Sequence, residues 1–245
     1  MMRALRMEWT KLRTDPGTRW CALALIAGTL AVSGLADMTT DALDCAPRPC
    51  TVDATRISLS GVYLGQIGAI VLAVLAVSRE YESPIIRSTL AACPRRDRVL
   101  VAKAVVVLAA VAVTAVVALA ATLFAARVLL PSRGLWLSLA DEPTRRGYFG
   151  SVLYLCLVAL LGLGVALIVR HTGAAIATTL GLLFVTPIAA LFVTDPLWQA
   201  RIRRYSPMTA GLTPWAGLRV LGAYAAAAVI VGAILFWRRD TVSEG

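Results

Sequence analysis

Six long apolar runs, at about residues 20–36, 57–78, 100–126, 148–169, 173–193 and 215–237, leave this chain little freedom in what it can fold into. A hydrocarbon core of about 30 Å takes roughly 20 apolar residues per helix, and a spanning segment has to satisfy its own backbone hydrogen bonds. The runs are therefore expected to be helices. With 59% hydrophobic and 16% charged residues among 245, and a mean hydropathy of +0.77, little chain is left for a soluble domain. The expectation is an all-α polytopic membrane protein with six transmembrane helices. No small-residue cleavage site closes the first run, so no segment reads as a removable leader.

The net charge of +10 does not point to nucleic acid, because the basic residues sit at the ends of apolar runs, where membrane anchors belong. Placing both termini inside puts most of the 24 lysines and arginines on inner segments. This favours an N-in, C-in topology. The Arg201, Arg203 and Arg204 cluster then falls outside and reads as lying at the headgroup level. Residues 1–19 begin as an amphipathic helix: Met2, Leu5, Trp9 and Leu12 share a stripe, while Arg3, Arg6, Lys11 and Arg13 face elsewhere. A basic helix with Trp on its apolar side lies in the membrane interface, and Asp15-Pro16-Gly17 then turns the chain.

In this frame the chain is one transmembrane domain. Residues 1–19 form an interfacial elbow, 20–78 spans one and two, 79–99 an inner loop, 100–237 spans three to six, and 238–245 a cytoplasmic tail. On span two, Gly61, Gly65, Ala69 and Ala73 make a small-residue stripe that lets another helix approach closely, within the subunit or across a dimer. Pro187 is placed to kink span five. Cys45 and Cys50 sit in a loop assigned outside, where a disulfide can persist; bonded and free thiols are equally expected.

Several chemistries lack their residues. The two lysines, Lys11 and Lys103, are not in a Gly-rich phosphate-binding loop, so the chain has no P-loop for ATP. The one histidine, His171, leaves no paired-histidine metal site and reads as a turn residue at the membrane surface. No nucleophile elbow occurs. The expectation is a non-enzyme with no metal and no cofactor of its own. No Asp, Glu, Lys or Arg lies deep inside a span, whereas ion-driven carriers keep such groups at membrane depth.

The longest inner polar segment runs from Arg79 to Arg98. Ser83 suits an N-cap, Pro84 the first helical position, and Pro94 a stop, which leaves a short cytoplasmic helix with Ile86, Leu90 and Cys93 on one face. A helix so short is marginal alone and needs a surface to pack on. Glu80 and Glu82 precede it and favour its N-terminus.

These residues carry a resemblance. Glu80-Tyr81-Glu82, Ile86-Arg87-Ser88-Thr89-Leu90, Pro94-Arg95-Arg96 and Val99-Leu100 with Lys103 resemble the first inner loop of type-2 ABC exporter permeases. Glu8-Trp9-Thr10-Lys11-Leu12-Arg13-Thr14 resembles the opening of such permeases in actinobacteria. One departure is Pro84-Ile85, where the family has Gly-Thr. The resemblance implies a multi-pass subunit of the bacterial plasma membrane. It would pair with a second permease, identical or homologous, and with two cytosolic ATPase subunits that hold ATP and magnesium. It further implies that the inner loop contacts the ATPase through Glu80, Glu82, Ile85, Ile86, Arg87 and Leu90, with Trp9 and Arg13 from the elbow, and that the outer segment before the last span is re-entrant. The expected activity is export of a lipophilic small molecule, peptide or lipid, in contact with membrane lipid and with no nucleic acid. An ion-coupled carrier and a non-transporting anchor are the alternatives.

Overall fold

The computed structural model describes residues 2–39, 54–82, 96–130, 138–193, 195, 197–199 and 216–239. The described residues are helical apart from short turns, with no strand among them. The helices are α1 (Met2–Thr14), α2 (Pro16–Thr39), α3 (Ala54–Ser58), α4 (Val62–Glu82), α5 (Arg96–Leu129), α6 (Glu142–Val169), α7 (Thr172–Phe192) and α8 (Ala216–Arg239). Six segments are long and apolar enough to cross a membrane: one each from α2, α5, α6, α7 and α8, and a sixth, Thr55–Ser78, made of α3 and α4 together.

The elbow and the first span meet at one residue. Asp15 Oδ2 accepts from the Thr18 backbone N–H at 3.0 Å and from the Thr18 hydroxyl at 2.9 Å. Asp15 is therefore the N-cap of α2, with Pro16 at the first helical position, where its missing N–H costs nothing. Arg19 closes the junction from the other side: its Nε and Nη2 donate to the Arg13 carbonyl at 2.9 and 2.6 Å, covering the open end of α1. Residues 16–19, assigned above to the elbow, thus begin the span.

α6 is the most enclosed span, with 61% of its apolar window buried against 56% for the α3–α4 span and 22–33% for the rest. It packs on α4, α5, α7 and α8, while α2 lies against α4 and α5, and α1 rests on α5. The core is built of Ile70, Val77, Val111, Tyr154, Leu155, Leu161, Leu163 and Leu221 with alanines between them. Apolar side chains on the outer faces of α5 and α8, such as Val113, Phe124, Ile230 and Ile234, stay exposed, as lipid-facing residues must.

The small-residue stripe of span two packs inside the subunit. A Cβ on Gly61 would lie 2.0 Å from the Thr29 carbonyl oxygen, and one on Gly65 would lie 2.5 Å from the Thr29 hydroxyl. Thr29 belongs to α2, so the two glycines let α2 and α4 touch backbone to side chain. Gly61 also ends a break: Leu59, Ser60 and Gly61 form the turn between α3 and α4, and the Gly61 N–H donates to Ser33 Oγ at 3.1 Å. On the other side of the bundle, a Cβ on Gly164 would lie 2.6 Å from the Ala228 carbonyl carbon, which brings α6 and α8 equally close.

Between α6 and α7, Arg170 adopts a left-handed conformation (φ 57°) and its N–H donates to the Ala166 carbonyl. His171 then caps α7, its Nδ1 accepting from Ala174 N at 3.2 Å. His171 is a turn residue with a structural task. Pro187 lies inside α7.

α4 runs on to Glu82 and α5 begins at Arg96, so residues 79–82 and 96–99 of the expected inner loop are helical. The short helix expected from Pro84 to Cys93, with Ile85, Ile86, Arg87 and Leu90, lies outside the described residues. So do Cys45 and Cys50, the Arg201–Arg204 cluster and, apart from Asp195 and residues 197–199, the segment expected to be re-entrant.

Candidate functional site

Among the described residues, a buried ion pair joins the elbow to the roots of the inner loop. Glu8, on α1, is 2% exposed, and the Lys103 side chain, on α5, is 7% exposed. Lys103 Nζ donates to Glu8 Oε2 at 3.0 Å and to the Ala76 carbonyl of α4, also at 3.0 Å. The other carboxylate oxygen, Oε1, accepts from Lys11 Nζ at 3.3 Å, one turn along α1. Both lysines of an otherwise arginine-based chain thus converge on Glu8. A compact ammonium can sit between a carboxylate and a carbonyl, where a planar guanidinium is made for two parallel bonds to one partner.

Geometry gives the pair its significance. Ala76 lies six positions before the end of α4 at Glu82, and Lys103 seven positions after the start of α5 at Arg96. At 1.5 Å per residue the pair lies about 10 Å from either mouth of the interval 83–95. It pins α1 to both helices that deliver and recover that interval. Leu12, one turn beyond Glu8, is buried beside it. The face of α1 turned away carries Arg6, Trp9, Thr10 and Arg13, all exposed, with Trp9 at 48%.

The sequence-expected residues divide accordingly. Trp9 and Arg13 sit one turn apart on the free face of α1, open to lipid or to a partner. Glu80 and Glu82 lie on the last turn of α4, beyond Ser78, the last described side chain of that helix. Glu8 and Lys103, each within one of the two motifs, are brought together across 95 positions. Among the described residues no group of three or more His, Cys, Asp or Glu is placed to hold a metal.

Two ionisable groups are buried near the ends of spans, neither of them deep inside one. Lys103 is one, three residues into the span that begins at Leu100. Asp37 is the other: α2 continues past Ala36 to Thr39 and carries Asp37 into the bundle at 0% exposure. The physical reason is that helix and burial follow tertiary packing, whereas the apolar run ends at the first charged residue.

Mid-bundle, Tyr154 donates to Gln66 Oε1, both fully buried, which joins α6 to α4 by a polar contact at membrane depth.

Six spans, with α6 the most enclosed of them, define an all-α, multi-pass membrane protein. No protein-family model matches the chain, and no curated protein matches it.

Proposed function

We propose that this chain is the transmembrane subunit of an ABC exporter in a bacterial plasma membrane. It would move a lipophilic small molecule, peptide or lipid outward on ATP hydrolysed by separate cytosolic subunits. One observation carries the reading. The sealed Glu8–Lys103 pair, with the Ala76 carbonyl, ties the elbow to both roots of the inner loop, and its residues come from the two motifs that resemble the permeases. A junction that takes force from outside the membrane has to move elbow, α4 and α5 as one body, and a buried ion pair of this kind resists their separation. ATP-driven closure of the motor would press on Ile86, Leu90 and their neighbours and bias inward-open against outward-open states. Two ATPase subunits and a second permease would complete the assembly.

Affinity purification of the tagged chain from its native membrane tests this. The expected result is co-purification of a P-loop ATPase whose hydrolysis falls when Glu80→Ala is combined with Leu90→Asp. Hydrolysis unchanged by that pair, or a chain that purifies without any ATPase, counts against the reading.

Asp37, sealed near the end of α2, is the observation that favours a second reading, an ion-coupled carrier, because a buried ionisable group in a spanning helix can serve ion coupling. Flux driven by a sodium or proton gradient in proteoliposomes holding this chain alone would select it.

A further inference from the structure

Asp37 is fully buried, and neither carboxylate oxygen has a hydrogen-bond partner. An ionised carboxylate left so costs several kcal/mol, and natural structures keep such groups only when something neutralises them. The elements packed against this end of α2 carry several buried hydroxyls. One turn back on α2, Ser33 Oγ takes the Gly61 N–H at 3.1 Å. The neighbouring Ser60 Oγ is itself buried without a partner. With Thr29 beside Gly65 and Ser33 beside Gly61, the register of α2 brings Asp37, one turn further on, level with Ser58, whose Oγ is 2.9 Å from the Tyr148 hydroxyl, with Thr122 close to that hydroxyl. α3 packs against α2, α5 and α6 here, and Thr55 meets Thr144 at 3.1 Å on the same two elements as Ser58 and Tyr148.

We infer that Asp37, with the hydroxyls of Ser58, Ser60, Thr122 and Tyr148, forms a site for an alkali-metal cation where α2, α3, α5 and α6 meet. Hydroxyl and carboxylate oxygens suit a hard cation, and a single carboxylate matches a single positive charge. The basic residues nearby do not take the role. Arg127, whose charge also acts at Tyr148, is exposed, and so is Arg56 on α3, while Arg146 pairs with Glu142 one turn away on α6. None of them donates a hydrogen bond to Asp37. A cation here would lock the broken span, α3 and α4, onto α2 and α6, whichever motor drives the chain.

The test is thermal unfolding of the full chain in lipid nanodiscs at pH 8 and constant ionic strength, in sodium, potassium or choline chloride. Sodium or potassium is expected to raise the midpoint by about 3–6 °C over choline, as an excess of roughly ten-fold over Kd gives a domain this size. Asp37→Asn is expected to abolish the difference. Radioactive sodium retained at about one ion per chain by the unaltered protein gives a second readout if the variant does not fold. Equal midpoints in all three salts, no retained sodium, or a cation effect that survives Asp37→Asn would each overturn the site. A midpoint that answers to pH but to neither metal ion would also overturn it, and would make Asp37 a carboxyl held neutral by its proton.

Discussion

At the residue scale, Lys103 and Glu8 behave as a unit whose halves are costly apart. Removing one partner of a buried pair leaves the other charge desolvated, at about 3–5 kcal/mol, while replacing both by apolar residues of similar size is near neutral. Lys103→Met is therefore expected to lower unfolding stability by that amount. Glu8→Leu combined with Lys103→Met is expected to recover most of it, so a double-mutant cycle should give a coupling of several kcal/mol. Additive losses would mean that the pair contributes nothing as a pair. Lys11 is a milder case: its side chain is 32% exposed, and Lys11→Ala should cost less than about 1 kcal/mol. Little in the sequence marked Glu8 as special. Its partner is 95 positions away, and the one local cue was the use of lysine twice in a chain that otherwise uses arginine. Trp9, by contrast, stood out as the aromatic of an amphipathic stripe, and it lies half-exposed on the free face of α1.

At the scale of elements, the spans were legible because a bilayer imposes a length and an apolar composition that no other constraint imitates. The junctions were less so. Asp15-Pro16-Gly17 reads as a turn, yet it is an N-cap followed at once by helix, because the Asp15 carboxylate takes the Thr18 N–H of the first turn of α2 without any loop. Asp37 reads as the start of a loop, yet it is helical, because packing against α3 carries the helix beyond the apolar run that ends at Ala36. The glycines of span two were recognised as a contact surface, and their partner could be named only once Thr29 was seen opposite them. They also sort into an experiment. Gly61→Ala and Gly164→Ala place a methyl 2.0 and 2.6 Å from backbone atoms of a neighbouring helix and are expected to cost about 1–3 kcal/mol or more. Gly34→Ala and Gly222→Ala meet nothing within 4 Å and should be neutral or gain about 0.5–1 kcal/mol from helix propensity. Equal midpoints for all four variants in a thermal unfolding series would mean that close helix approach is not what these glycines provide.

For the whole molecule, the ion pair and the oxygen-rich niche sit toward opposite ends of the bundle. Glu8 and Lys103 lie where α1, the end of α4 and the start of α5 converge. Asp37 lies where the end of α2, α3 and the start of α6 converge. Antiparallel spans place these two ends on opposite membrane faces. With the termini inside, the pair is cytoplasmic and the niche external; with the opposite insertion, an inner motor would meet Asp37 instead. The proposed coupling therefore stands or falls with topology. Single cysteines in a background with the natural cysteines replaced settle it in intact cells: a membrane-impermeant maleimide should label Glu142→Cys, on the exposed first turn of α6, and should reach Arg13→Cys only after the membrane is permeabilised. Labelling of Arg13→Cys in unbroken cells, with Glu142→Cys protected, would put the elbow outside. It would remove any route by which a cytosolic ATPase could act through Glu8.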